Sequence, residues 1–164
     1  MKAKFVRESL NEDIGVENMF PPGLRGKPNA KQQKARDAAR EQLREMIEGE
    51  NGWIYLSMVH YMYGPLKGTI RLIRAGDVGM DELLDFIEET GDPINASPKI
   101  QQFVYDIYQN IGLMPVCQIM PKEHLQDKNS QYPQVSSIDE YMKEVVREVI
   151  QNNNDPYYHR LGQY

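Results

Sequence analysis

Residues 53 to 64, WIYLSMVHYMYG, place one Trp, three Tyr and two Met in twelve positions, with only Ser57 and His60 plainly polar. A stretch with so little polar surface must be covered on more than one side, so the rest of the chain has to be arranged around it. Wound at about 100° per residue, Ile54, Tyr55, Leu56, Met58, Val59, Met62 and Tyr63 fill an arc of roughly 200°, leaving Trp53, Ser57 and His60 on the remainder. That arc exceeds the stripe of about 100° found on a surface helix. A strand competes, because Trp, Tyr, Ile and Val favour sheets. Alternation fails, however: Trp53, Tyr55, Ser57, Val59, Tyr61 and Tyr63 would share one side with no polar face opposite. The expectation is a central helix with Tyr hydroxyls at its boundary. The functional alternative has Trp53, Tyr61 and Tyr63 projecting into a partner, since aromatic residues are enriched at interface cores.

Helical signals recur along the chain. In SPKIQQFVYDIYQNIG, Ser97 can cap, Pro98 suits the first turn and Gly112 suits a left-handed stop, with Ile100, Phe103, Val104, Ile107 and Ile111 on one face. In SSIDEYMKEVVREVIQNN, Ser137 and Glu140 have capping-box spacing, and Ile138, Tyr141, Met142, Val145, Val149 and Ile150 repeat at helical intervals. Residues 27 to 49 are rich in Ala, Arg, Glu and Gln and predict a helix with a thin apolar face of Ala35, Ala39, Leu43, Met46 and Ile47. GPLKGTIRLIRAG, with Leu66, Ile70 and Ile73 at i, i+4 and i+7, and GMDELLDFIEETG both read as short helices. Pro115, Pro121 and Pro133 preclude one long element between residues 114 and 135. The fold predicted is all-α: a small bundle of about five to six helices over residues 27 to 150. Extended arms are expected at residues 1 to 26 and 151 to 164, and no repeat or second domain is visible.

A net charge of -5 argues against a general or sequence-specific nucleic-acid binder. A single Cys, Cys117, forms no internal disulfide, which favours a cytosolic origin. No apolar run approaches the roughly 20 residues needed to span a bilayer, and the opening residues lack a signal-peptide core, so a soluble, unexported protein is expected. His60, His124 and His159 have no metal-like neighbours, PVCQIM offers no nucleophile setting, and no Gly-rich phosphate loop exists. Neither an enzyme nor a cofactor is expected.

Two charge blocks stand out. Lys67, Arg71 and Arg74 form a basic stripe, and residues 77 to 92 are acidic without a base. The structural expectation is a helical hairpin joining the two across Gly76; the functional one is that the basic stripe faces a partner of complementary charge. Arg36, Arg40 and Arg44 are expected to neutralise themselves through Asp37 and Glu41. The last residues carry Tyr157, Tyr158 and Tyr164, and an aromatic tail can order on a partner.

The opening MKAKFVRESLNE resembles the start of small proteins encoded by crAss-like tailed bacteriophages and their Bacteroidetes hosts. Together with a helical core and long arms, the chain resembles the adaptor rings that join portal to tail in tailed phages. That likeness implies a helical bundle seated on the portal rim, side-by-side contacts in a homo-oligomeric ring, arms threaded onto neighbours, and a place in the virion after assembly in the host cytoplasm. The expected function is thus a non-enzymatic structural assembly protein, a head-to-tail connector with portal and tail or neck proteins as partners. Its contacts would be Trp53, Tyr61, Tyr63, Lys67, Arg71, Arg74, Tyr157, Tyr158 and Tyr164. The alternative is a soluble adaptor or regulator that docks one protein through an amphipathic helical surface.

Overall fold

A computed structural model describes residues 29 to 60, 64 to 125 and 131 to 152. The first helix, α1 (Ala30–Gly49), begins at Asn29. The Asn29 side chain accepts from the Gln32 amide at 2.8 Å, and the Gln32 side chain accepts from the Asn29 amide at 2.9 Å. This reciprocal cap satisfies two backbone donors that no helical turn reaches.

The segment expected to be the central helix is instead a strand, β1 (Trp53–His60). On one edge it pairs antiparallel with β2 (Gly64–Pro65) and then β3 (Arg71–Arg74), and on the other with β4 (Val116–Met120). A short β5 (Gln134–Val135) extends the sheet by pairing parallel with β3. Among the described residues the architecture is therefore α+β, a five-stranded mixed sheet with five α-helices, and the all-α bundle is overturned.

The reason lies in how β1 is covered. Ile54, Leu56 and Met58 point into the main core with the helices, while Val59 joins Met120 and Leu125 in a smaller cluster that Tyr55, Ile70 and Tyr132 flank. A strand buried on both faces has no reason to alternate polar with apolar residues. The short helix expected over residues 64 to 76 is likewise replaced by β2 and β3, because Leu72 and Ile73 are paired to Tyr55 and Ile54 of β1. Only Ala75–Val78 (α2) is helical there.

The remaining helices follow their signals. Helix α3 (Met80–Thr90) starts after Gly79, whose φ of 101° is a backbone conformation L side chains rarely adopt. Helix α4 (Pro98–Ile111) opens with Pro98 and stops at Gly112 in the left-handed region. Helix α5 (Ile138–Gln151) starts where the Ser137 hydroxyl accepts from the Glu140 amide at 3.0 Å, and the Glu140 carboxylate accepts from the Ser136 amide at 2.9 Å.

A polar seam runs through the core. Tyr141 of α5 is fully buried, its ring 5.8 Å edge-on from Phe86, and its hydroxyl donates to the Thr69 carbonyl at 3.2 Å. The Thr69 hydroxyl lies 3.2 Å from that of Ser57 and donates to the Leu66 carbonyl at 2.8 Å, so the loop between β2 and β3 is pinned to β1. No helix among the described residues is long and apolar enough to cross a membrane.

Candidate functional site

An open groove of about 1010 Å³ lies between α4 and α5. The two helices are fastened at their starts by an ion pair between Lys99 and Asp139. Core residues take one stripe of α5: Ile138, Tyr141, Val145 and Val149 are all buried. A second stripe, Met142, Val146 and Ile150 at i, i+4 and i+8, borders the groove: Met142 is buried at its base with Phe103 of α4, Val146 is half-buried and Ile150 is exposed. Ile150 is 54% exposed, unusual for so large an apolar side chain on a helix with a well-filled core face.

The rim is charged. Asp106 of α4 accepts from the Gln102 amide at 2.7 Å, and burial nevertheless raises its carboxyl above the usual range. On the opposite rim Lys143 and Arg147 stand one turn apart on α5, exposed, and neither has an ion-pair partner within 4.0 Å among the described residues. The arrangement has an apolar floor and a mainly cationic edge. Its ionisable groups are spread along the rim and do not converge on one point.

A second groove of about 460 Å³ lies between α1 and the β4 side of the sheet. Its charges are already engaged. Arg36 pairs with Asp92 at 2.6 Å, Arg40 with Asp85 at 2.7 Å and Glu88 at 3.2 Å, and Arg44 with Asp81 at 3.1 Å. The acidic block thus answers the Arg stripe of α1, and neither the self-neutralised α1 face nor the hairpin across Gly76 is formed, although a longer Arg44–Glu41 contact of 3.7 Å is present.

The residues expected to bind a partner are scattered. Arg71 is 6% exposed and turned inward: its guanidinium donates to Glu144 of α5 at 2.7 Å and to the carbonyls of Gly68 and Ile70 at 2.8 and 2.9 Å. Arg74 lies 5.3 Å over the half-buried Trp53 ring and donates to Asp77 at 2.7 Å, while Lys67 sits in an exposed turn. Tyr61, Tyr63, Tyr157, Tyr158 and Tyr164, and the proposed arm at residues 1 to 26, lie outside the described residues. The groove residues Val146 and Arg147 were not singled out by the sequence reading, and Lys143 was read only as an i,i+4 partner of Asp139. The signal was there: an apolar arc on α5 wider than one core stripe needs.

Burial also decides the fate of the reactive groups. The Cys117 thiol is fully buried and pushed far above its ordinary range, which opposes use as a nucleophile. Among the described residues no cluster of three or more His, Cys, Asp or Glu is placed to hold a metal ion. His60, buried at the end of β1, has its imidazole held below the ordinary 6.5 by desolvation. Because the unfolded chain then binds the proton more readily, stability is fully present above pH 6.5 and falls as pH drops from there toward the depressed native value. Asp77, Asp81 and Asp139, held below 3.8 by hydrogen bonds from Arg74, Arg44 and Lys99, act only at lower pH. Urea titrations of wild type and His60→Gln between pH 5 and 8 should show this slope in wild type alone; equal slopes would remove His60 as its source.

No protein-family model, no curated protein and no solved structure matches the chain.

Proposed function

We propose that the protein is a non-enzymatic binding subunit that docks a partner protein through an amphipathic helical surface. The observation that carries this reading is the α4/α5 groove, where Val146 and Ile150 of α5 reach the surface above the buried Phe103 and Met142. The buried state of Cys117 supports it by withdrawing the one thiol from chemistry. The head-to-tail connector is the more specific form. It rests on the likeness of residues 1 to 12 to proteins of crAss-like phages and no longer on a helical-ring likeness, since the chain has a five-stranded sheet. A groove that seats one partner favours the adaptor form.

Purification from the native source with mild cross-linking, followed by light scattering and mass spectrometry, tests the proposal. A second polypeptide at fixed stoichiometry is expected. Many copies within a particle would mark the connector, and one or two copies the adaptor. A chain that always purifies alone as a monomer would contradict both.

A further inference from the structure

We propose that the α4/α5 groove receives an amphipathic helix of a partner protein that carries acidic residues along one flank. This rests on the protein-binding reading above and names its site and the chemistry of its occupant.

The apolar part follows from the floor. Met142, Val146 and Ile150 line α5 from residue 142 to 150 beside Phe103 of α4, with Phe103 and Met142 buried at the base and Val146 and Ile150 reaching the surface, bounded by Asp139 and Gln151. At 1.5 Å per residue the strip from residue 142 to 150 is about 12 Å long, which matches the i to i+7 span of a partner helix of two to three turns. An extended peptide fits less well. Both walls are helices whose backbone groups are bonded internally, so a strand laid between them would find no edge to pair with and would lose water from its own amides. A helix brings its backbone already satisfied and needs only side chains at i, i+3, i+4 and i+7 to fill the floor.

The acidic part follows from the rim. Of its five charged residues, Lys99 and Asp139 satisfy each other, and Asp106 takes a hydrogen bond from Gln102 and is held closer to its neutral form by burial. Lys143 and Arg147 are left, one turn apart on one wall, with no ion pair within 4.0 Å among the described residues, Lys143 acting only at longer range on Asp139, in a chain whose net charge is -5. Carboxylates at i, i+4 on the incoming helix would meet both. Such exposed pairs orient the partner and reject a basic one more than they add affinity.

The test uses a fluorescein-labelled synthetic peptide of about four helical turns, with Leu at the four anchor positions and Glu on one flank, and a second peptide with Lys in place of Glu. Binding to the full-length chain is read by fluorescence anisotropy at low and physiological salt. The Glu peptide should bind at least about tenfold tighter than the Lys peptide, a difference of about 1.4 kcal/mol, and the gap should narrow with salt. The variant Lys143→Glu/Arg147→Glu should reverse the order, and Ile150→Glu should weaken both. All three positions are exposed, so circular dichroism should show intact folding.

Equal binding of the two peptides, or binding indifferent to these variants, would overturn the proposal. A concentration-dependent dimer abolished by Ile150→Glu would assign the groove to a second copy instead. Binding that appears only after deletion of residues 153 to 164 would assign it to the chain's own end. Each of these also refutes the proposal. The underlying reading fails separately. A native partner that co-purifies equally with wild type and the groove variants refutes the groove alone, whereas absence of any partner with either refutes protein binding itself.

Discussion

Replacing Ser57 by Lys is expected to abolish cooperative folding. Helical winding would leave Ser57 beside His60 and Trp53 on the less apolar side of residues 53 to 63, where a Lys side chain reaches water without cost. In the sheet, Ser57 is 0% exposed, opposite Gln118 of β4, with its hydroxyl 3.2 Å from that of Thr69. Strands on both edges and a layer of side chains on each face leave the ammonium no route outward. An unpaired buried charge costs several kcal/mol even after relaxation, comparable with the roughly 5 to 15 kcal/mol that holds a whole domain together. Ser57→Ala should cost only about 1 to 2 kcal/mol, the loss of one buried hydrogen-bonding group. A Ser57→Lys variant that melts within a few degrees of wild type would refute the position of β1 in the sheet.

The second large effect concerns Arg71. Its Nε donates to Glu144, Nη1 to two carbonyls of its own loop, and Nη2 stands 3.9 Å from Glu148, so one side chain joins the start of β3 to two turns of α5. Removing one member of a buried pair leaves the other uncompensated, which typically costs about 3 to 5 kcal/mol. Because Glu144 retains partial exposure, the lower figure applies, and Arg71→Ala should destabilise by about 3 kcal/mol, lowering Tm by about 6 to 12 °C for a chain of this size. Arg71→Lys should rescue only in part, since an ammonium lacks the planar fork that reaches carboxylate and carbonyls together. The double variant Arg71→Ala/Glu144→Ala should be more stable than Arg71→Ala alone, because the orphaned carboxylate is gone. Additive losses would show that the pair is not coupled.

These two residues also show where sequence reasoning stopped. Helices with local punctuation were legible: Pro98 and Gly112 bracket α4, although the Ser97 side chain makes no capping bond, and the Ser137 hydroxyl caps α5 through the Glu140 amide, with the Glu140 carboxylate reaching back to Ser136 instead of Ser137. Such signals act within one turn and need no knowledge of the rest of the fold. The sheet lacked an equivalent signal. Central β1 is covered on both faces, so its apolar run imitates a buried helix, and β3 hides in Leu66, Ile70 and Ile73, whose spacing fits a helix until Leu72 and Ile73 find β1. β4 sits between Pro115 and Pro121, which forbid a long element yet leave a five-residue strand untouched.

Charge was legible as pattern and not as pairing. The acidic block at residues 77 to 92 needed a basic partner: Asp77 found it in the adjacent stripe at Arg74, but tertiary packing supplied α1 to Asp81, Asp85, Glu88 and Asp92, and Arg71 was drawn inside by Glu144. The groove was half visible: Met142 and Ile150 were recognised on the apolar face of α5, whereas the division of that face into a core stripe and an open stripe depends on which helix packs against it.

The central claim, that the open stripe of α5 is where a partner enters, is tested most directly by following backbone amide shifts in a ¹H–¹⁵N correlation spectrum as the Glu-flanked peptide is added. The account predicts changes concentrated in residues 99 to 106 of α4 and 139 to 151 of α5, with β1 and the α1/α3 seam unmoved. Changes centred on α1 and β4, or a spectrum that does not respond at all, would contradict it.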